Sequence, residues 1–354
     1  MPDLPHPYEL LSALVVLPGP PGQEDAVRDY LAAQLTSLGL PHRTDAKGNL
    51  LTCAGTELPQ TPTVVVTAHM DEIALIVTGF DAGGRVRVSA LGGLHPWKWG
   101  EGAVEILSVT GGEPVPGVLG FGSIHTTSPY SAAAQARDGK SITWGDAFVF
   151  HGETVAALEK HGVMVGSRVV MAQSRRTTVP LGGKRVGSYF LDDRADCVAW
   201  LLALQALRDS GSGADVLFVA TTSEEVGGEG AAFALRSLPA PPKVCVALEI
   251  GPHTPDAPLV LDATPTVWVT DSYATMSPID LAHVYAAAQH RVQPQAVTRG
   301  GSDATLAAHY GLCARPVTLA FAAENSHGFE IMHRDAPQAL ADLLVAYLAR
   351  VAGE

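Results

Sequence analysis

Five short stretches carry imidazole and carboxylate groups in close company: Thr67-Ala68-His69-Met70-Asp71-Glu72, Leu191-Asp192-Asp193-Arg194, Ser223-Glu224-Glu225-Val226-Gly227-Gly228, Leu248-Glu249-Ile250-Gly251 and Asn325-Ser326-His327-Gly328. These are the groups that a hydrolase built on two divalent cations requires: nitrogen and oxygen donors for the ions, and a spare carboxylate to carry protons. Nearly all of them close an apolar run. An open parallel sheet gathers its strand ends into one crevice, so residues remote in sequence can meet there.

His69 and Asp71 lie two residues apart, a spacing that puts both on one face of a strand, with Asp71 orienting the imidazole from behind. Alone, one histidine at a strand end is more often a satisfied core or surface residue than a metal ligand. Asp192-Asp193-Arg194 precedes a helix from Asp196, where acidic residues cap the helix end; the chemical reading makes Asp192 a bridge between two cations, with Asp193 and Arg194 holding the turn. Glu224 and Glu225 follow the apolar run Val216-Leu217-Phe218-Val219-Ala220, and Gly227-Gly228 lets the backbone turn into a helix. Adjacent side chains diverge, so one glutamate can bind a cation while the other shuttles protons. Glu249 closes the run Val244-Cys245-Val246-Ala247-Leu248, where a carboxylate is costly to bury unless a positive charge meets it. His327 completes the set. If Asp192 bridges, one ion takes His69, Asp192 and Glu249 and the other Asp192, Glu225 and His327, and both keep an open position for a shared water. Mixed nitrogen and oxygen donors suit Zn²⁺, Co²⁺ or Mn²⁺ alike.

The elements that must position these groups follow from periodicity. Tyr8 to Val16 and Glu24 to Leu38 read as helices separated by Pro18-Gly19-Pro20-Pro21-Gly22. Thr63 to Thr67 is a β-branched run of the kind buried on both faces of a parallel sheet, which puts His69 and Asp71 at its carboxyl end. From residue 74 to residue 176 short alternating segments punctuated by paired glycines predict an inserted β-rich domain, leaving 1–73 and 177–354 as the catalytic domain. After the insertion the reading alternates: helix Asp196–Leu207, strand Asp215–Thr221, helix Gly230–Leu238, strand Val244–Leu248. A helical apolar stripe at Leu340, Leu343, Leu344, Tyr347 and Leu348 closes the chain. The fold class expected is α/β, with a mixed, mostly parallel sheet and helices on both faces.

Composition bounds the partners. The 354 residues are 47 % apolar and 17 % charged, and 36 acidic against 23 basic side chains give a formal charge of −13. That charge repels phosphate backbones and anionic lipid, so neither nucleic acid nor membrane is expected as a partner. No apolar run approaches the roughly 18 residues needed to cross a bilayer, and the start has no secretion signal pattern; the expected location is the cytoplasm. Four scattered cysteines without CxxC spacing argue against disulfides and against a thiolate zinc site.

The motifs Ala68-His69-Met70-Asp71-Glu72, Leu191-Asp192-Asp193-Arg194, Glu224-Glu225-Val226-Gly227 and Gly300-Gly301-Ser302-Asp303-Ala304 occur in the order found in one family. Over nearly its whole length the chain resembles the metallo-aminopeptidases of peptidase family M forty-two, the glutamyl and leucyl aminopeptidases of tetrahedral, TET-type particles. The resemblance implies His69, Asp192, Glu225, Glu249 and His327 as ligands of two divalent metal ions and Glu224 as general base. It also implies a PDZ-like inserted domain for dimerisation and assembly, a homo-oligomer of dimers forming a dodecamer, and short peptides held by their amino termini. Two departures stand out: Glu249 replaces the family's common aspartate, and the last histidine motif reads Glu324-Asn325-Ser326-His327-Gly328, with His333 close behind. His327 is preferred on its spacing to Glu330.

The function expected is therefore an aminopeptidase, in which cation-activated water attacks the peptide carbonyl while Glu224 takes the proton and returns it to the departing amine. Asp303 fits either the pocket or a turn, and His125 either a neighbouring active site or a loop cap. Three rivals remain. An N-acyl amino acid deacylase or carboxypeptidase would use the same metals, and glutamate at 249 accompanies such enzymes in the wider clan. A glycosidase needs two carboxyls flanking a sugar bond, which adjacent glutamates do not supply. A non-catalytic assembly protein would have no use for Glu224.

Overall fold

The computed structural model describes residues 3–351. Helix α1 (Pro7–Val15) starts where Pro7 supplies a ready-made φ and His6 accepts the Tyr8 N–H; α2 (Asp25–Leu38) stops at Gly39, which is left-handed. A short hairpin follows, β1 (His42–Thr44) and β2 (Leu50–Thr52), and then β3 (Val64–His69), buried along its full length as its β-branched run requires.

The chain divides into two compact units, one made of the residues up to Glu72 and from Thr178 onward, the other of Ile73–Thr177. The second unit contains β4 (Ala74–Phe80), β5 (Val86–Leu91), helix α3 (Pro96–Trp99), β6 (Gly102–Ile106), β7 (Val115–Gly120), α4 (Ala132–Arg137), β8 (Phe148–Phe150), α5 (Val155–Lys160) and β9 (Arg168–Met171). Its strands pair antiparallel and close into a barrel in the order β4-β5-β8-β7-β6-β9. The alternation seen in Arg85-Val86-Arg87-Val88 puts Val86 and Val88 inside the barrel and the arginines outside. This six-stranded barrel is the form taken by the insertion that the resemblance implied to be PDZ-like.

In the first unit the chain continues through β10 (Val179–Leu181), β11 (Arg185–Tyr189), α6 (Leu191–Ser210), β12 (Val216–Thr221), α7 (Glu229–Arg236), β13 (Val244–Pro252), β14 (Pro265–Thr270), α8 (Pro278–Ala287), β15 (Gln293–Ala296), α9 (Asp303–His309), β16 (Arg315–Glu324), β17 (Phe329–His333) and α10 (Ala336–Val351). Among the described residues the strands of this unit form one eleven-stranded mixed sheet, ordered β1-β2-β12-β3-β13-β16-β17-β11-β10, with β14 on β16 and β15 on β14. Its centre, β12-β3-β13-β16, is parallel, both ends of that order are antiparallel, and the branch pairs β14 antiparallel with β16 and β15 parallel with β14. The α/β class with helices on both faces is thus the observed one. Val64, Val66, Ala68, Phe218, Ala220, Val244, Val246 and Leu248 face one core with α1, α2, α6 and α10; Val65, Leu217, Val219, Cys245 and Ala247 face another with α7 and α9. Trp200 of α6 packs edge-on against Phe218 of β12, ring centres 5.9 Å apart. The four cysteines are free and buried, and no described helix is long and apolar enough to cross a membrane.

Register decides where the chemistry collects. Thr221 at the end of β12 lies opposite His69 at the end of β3, and Val244–Ala247 of β13 lie opposite Val64–Thr67. β3 and β12 therefore end at His69 and just before Ser223-Glu224-Glu225, and β13 carries Glu249 past the end of its pairing with β3, so the three groups collect at one end of the parallel strands.

Candidate metal centre

His69 ends β3 with its ring held from both sides: Nδ1 lies 3.1 Å from the Asp71 carbonyl oxygen and Nε2 lies 3.1 Å from Asp192 Oδ1. Its backbone N–H donates to Asp193 Oδ2 at 2.7 Å. Asp192 sits at the start of α6, where it and Asp193 depart from helical geometry and the peptide joining them is cis. The helix expected from Asp196 therefore has a non-helical entry, and that entry turns the two carboxylates toward β3. The two oxygens of Asp192 face different histidines: Oδ1 approaches His69, while Oδ2 lies 3.6 Å from His327 Nε2. His327 Nε2 is in turn 3.8 Å from Glu225 Oε1.

Two donor clusters result, His69 with Asp192, Asp193 and Glu249, and Asp192 with Glu225 and His327, the ligand atoms of each lying within 4.8 Å of one another. Donors on one tetrahedral cation with bonds of about 2.0–2.1 Å stand about 3.3–3.4 Å apart, close to the separations of 3.1, 3.6 and 3.8 Å found here. The donor set is hard, oxygen-rich and includes imidazole, which suits a divalent cation.

Electrostatics point the same way. Burial, and then the neighbouring Glu224 and Asp192 carboxylates, push Glu249 well above the usual range for glutamate. Burial pushes Glu225 up to about 7, although His327 pulls the other way. For Asp192 burial is outweighed by the hydrogen bond and charge of His69, which hold its pKa below normal. Burial would lower His69, but the charge of Asp193 and the bonds to Asp192 and Asp71 raise it well above an ordinary histidine. The carboxylates that would keep a proton on His69 are the ones that would hold a cation in its place.

Residues 48–343 match the family model described as M42 glutamyl aminopeptidase. The chain belongs to this family. It is 28 % identical over 224 residues to the glutamyl aminopeptidase of Lactococcus lactis, covering 63 % of this chain and 61 % of that protein. To the lysyl aminopeptidase of Pyrococcus furiosus it is 26 % identical over 245 residues, covering 69 % and 66 %. Each match thus spans less than two thirds of the curated relative's length. Among solved structures it is similar to the Pyrococcus horikoshii TET1 peptidase, described as assembling into a tetrahedron or a large octahedral shell, with TM-score 0.81, 25 % identity, and coverage of 96 % of this chain and 98 % of that one.

In this M42 chain the other candidates are distributed as follows. Asp71 lies beyond the end of β3, not on the strand, yet its Oδ1 is 3.5 Å from His69 Nδ1. The same carboxylate accepts the N–H of Glu224 at 2.9 Å and of Glu225 at 3.1 Å. Glu224 is half-buried and belongs to neither donor cluster; burial raises its pKa well above normal, His69 opposes this, and Asp303 and Glu225 add to it. Asp303 opens α9, accepts from Thr221 Oγ1 at 2.6 Å and is pushed up to about 6 by burial. His333 lies outside both clusters, its Nδ1 accepting the Asp335 N–H at 3.2 Å. His125 is on an exposed loop of the barrel unit. Arg194 is committed to the fold: it pairs with Glu72 at 2.7 Å and donates to the carbonyls of Leu17, Met70 and Asp71.

Two residues gain parts that their sequence positions did not announce. Asp193, read as a turn former, is itself in the first donor cluster. Glu330, noticed only for its spacing, accepts the N–H of Asp192 at 3.0 Å and of His327 at 2.9 Å. One buried carboxyl group thereby holds two members of the second cluster. Phe190, Ser223, Asn325 and His327 all adopt positive φ beside the donors, a conformation that side chains with a Cβ rarely take.

Proposed function

We propose that this chain is a metal-dependent aminopeptidase that removes N-terminal residues from short peptides with the help of two divalent cations, zinc first among them. The observation that carries the reading is the division of the Asp192 carboxylate, one oxygen toward His69 and the other toward His327. That is the arrangement by which one carboxylate serves two ions. His69, Asp192 and Glu249 would hold the first and Asp192, Glu225 and His327 the second. When bound, the cations supply Lewis acidity that makes water a nucleophile near neutral pH and polarises the scissile carbonyl.

The remaining work falls to the protein. Glu224 accepts the proton of the attacking water and delivers it to the departing amine, and burial, which raises its pKa, favours the protonated form it takes in between. Asp71 orients His69 and fixes the backbone from which Glu224 and Glu225 leave. The preference for a free amino terminus over a free carboxyl terminus rests on charge. Bound cations would neutralise the ligand carboxylates, so what discriminates is the guanidinium bound into the site, Arg194, which is consumed by Glu72 and backbone carbonyls. A carboxypeptidase would need a cation to receive the terminal carboxylate.

The barrel unit is proposed as the dimerisation and assembly module of a homo-oligomer, following the assemblies described for the Pyrococcus horikoshii relative, and the protein is read as cytoplasmic. The deciding experiment compares aminoacyl amides with the same substrates blocked at nitrogen, before and after chelation and after return of one divalent ion. Hydrolysis of the free amines, lost to chelator and restored by metal, supports the reading. Cleavage confined to blocked substrates transfers it to the deacylases.

A further inference from the structure

Four consecutive backbone N–H groups, those of Thr222, Ser223, Glu224 and Glu225, are each received by a side-chain oxygen from elsewhere in the chain. Thr222 donates to Asn49 Oδ1 at 3.0 Å, Ser223 to Glu24 Oε1 at 3.1 Å, and Glu224 and Glu225 to the two oxygens of Asp71 at 2.9 and 3.1 Å. The turn has no ladder partner for these donors, so its shape is set by the acceptors brought to it. At its centre Ser223 holds φ at +55°, a left-handed conformation that a non-glycine residue keeps only when its surroundings impose it.

Glu24 is the unexpected member. It stands at the N-cap of α2, where a carboxylate ordinarily accepts from its own helix, yet it makes no side-chain cap bond there. It is 3 % exposed, and Oε1 reaches across to Ser223 while also accepting the Gly22 N–H at 2.7 Å. A buried acidic side chain at the start of one helix is thus spent on the backbone of a turn 199 residues away. Gly230 closes the turn from the other side, because a Cβ there would lie 2.2 Å from the Thr222 carbonyl oxygen.

We propose that Glu24 is a positioning residue for the reaction assigned above, on which reading it rests: by fixing Ser223 it sets the directions in which Glu224 and Glu225 leave the turn. Glu224 must address the nucleophile and Glu225 the second donor cluster, so one misplaced peptide disturbs both. Glutamine at position 24 keeps an oxygen for Ser223; alanine does not.

The test uses full-length protein carrying Glu24→Ala or Glu24→Gln, with kcat and KM measured on an aminoacyl anilide and Co²⁺ affinity measured by calorimetry on the metal-free protein. For Glu24→Ala we expect kcat to fall about 10- to 100-fold with KM within about threefold, and the weaker Co²⁺ site to lose about tenfold in affinity. Glu24→Gln should recover both to within about threefold. A purely structural role would lower thermal stability and leave kcat and Co²⁺ affinity unmoved. A folded Glu24→Ala protein matching wild type in both, or a folded Glu24→Gln protein falling as far as Glu24→Ala, overturns the proposal. If Glu24→Ala does not fold, Glu24→Asp, whose carboxylate stands one methylene short of Ser223, decides: a fall in kcat or in Co²⁺ affinity in the folded protein supports the proposal and wild-type values of both overturn it. Should wild type itself be inert on every free amine, the aminopeptidase reading falls separately and the Co²⁺ titration alone judges Glu24, weakening in Glu24→Ala supporting it and equality sinking it.

Discussion

Glu330 accepts the backbone N–H of Asp192 at 3.0 Å through Oε2, while its other oxygen takes the N–H of His327. Removing that carboxyl group should loosen two donors at once. Glu330→Gln replaces one acceptor by an NH₂ group facing a backbone donor, and the affinity of the cluster containing Asp192, Glu225 and His327 should drop about 10- to 100-fold. Calorimetric titration with Zn²⁺ or Co²⁺ reads this directly; unchanged affinity for both ions removes Glu330 from the support of the site.

Glu224 belongs to neither donor cluster, so its replacement separates catalysis from binding. Glu224→Gln should keep both ions, counted by elemental analysis, while kcat falls by about 10²- to 10⁴-fold. Turnover at the wild-type rate would assign the base elsewhere.

The two late histidines give opposite expectations. His327→Ala takes a donor from the second cluster and should lower metal content and turnover together. His333→Ala gives up one partly buried contact, the Asp335 N–H at 3.2 Å, and should leave both unaltered at a stability cost of about 1 kcal/mol. If the alanine at 333 proves the damaging one, the second cluster has been drawn with the wrong histidine.

Metal-free protein should lose stability as pH rises. Burial pushes Glu225 and Asp196 up to about 7, and pushes Glu330 up to about 8. Folded chains then hold protons that unfolded chains release above about pH 4.5, so each group costs stability progressively from there until pH passes its folded value. Below that window both states are protonated and the contribution is flat. Bound cations would replace the proton on Glu225, the one of the three in a donor cluster, so added metal should raise the melting temperature more at about pH 8 than at about pH 5 and release protons on binding. Melting curves in chelator and in Zn²⁺ at the two pH values check the sign.

The assembly reading is checked by light scattering on purified protein. A mass close to twelve chains, as in the dodecamer described for a similar structure, is the expected result. A stable monomer would leave the barrel unit without the role proposed for it.

Much of the site was legible because its chemistry sits where local pattern is strongest. His69 follows a β-branched run, Glu224 and Glu225 follow another and precede paired glycines, and Glu249 punctuates a third, so periodicity alone sends all three to the same end of a parallel sheet. The supporting layer was not legible. Glu24 looks like any acidic residue opening a helix, Asn49 like a turn residue, and Glu330 like one position of a strand, because what they do is accept N–H groups from residues far along the chain. Such partners are set by tertiary register, which leaves no mark at fixed spacing. Glu249 proved to lie inside β13, which continues to Pro252, because its partner β16 runs on beside it. The insertion's β content was readable from alternation, whereas closure into a barrel depends on β9 returning to both β4 and β6.

The donors are drawn from positions as far apart as His69 and His327, and apart from the neighbours Asp192 and Asp193 each comes from a separate segment. An extended chain therefore offers cations only isolated, weak ligands, and metal cannot template folding from a fragment. Free ion acts on the finished molecule, shifting the balance by mass action in proportion to its concentration over its dissociation constant. Starvation for metal would be felt as a shortened lifetime of the protein as well as lost turnover.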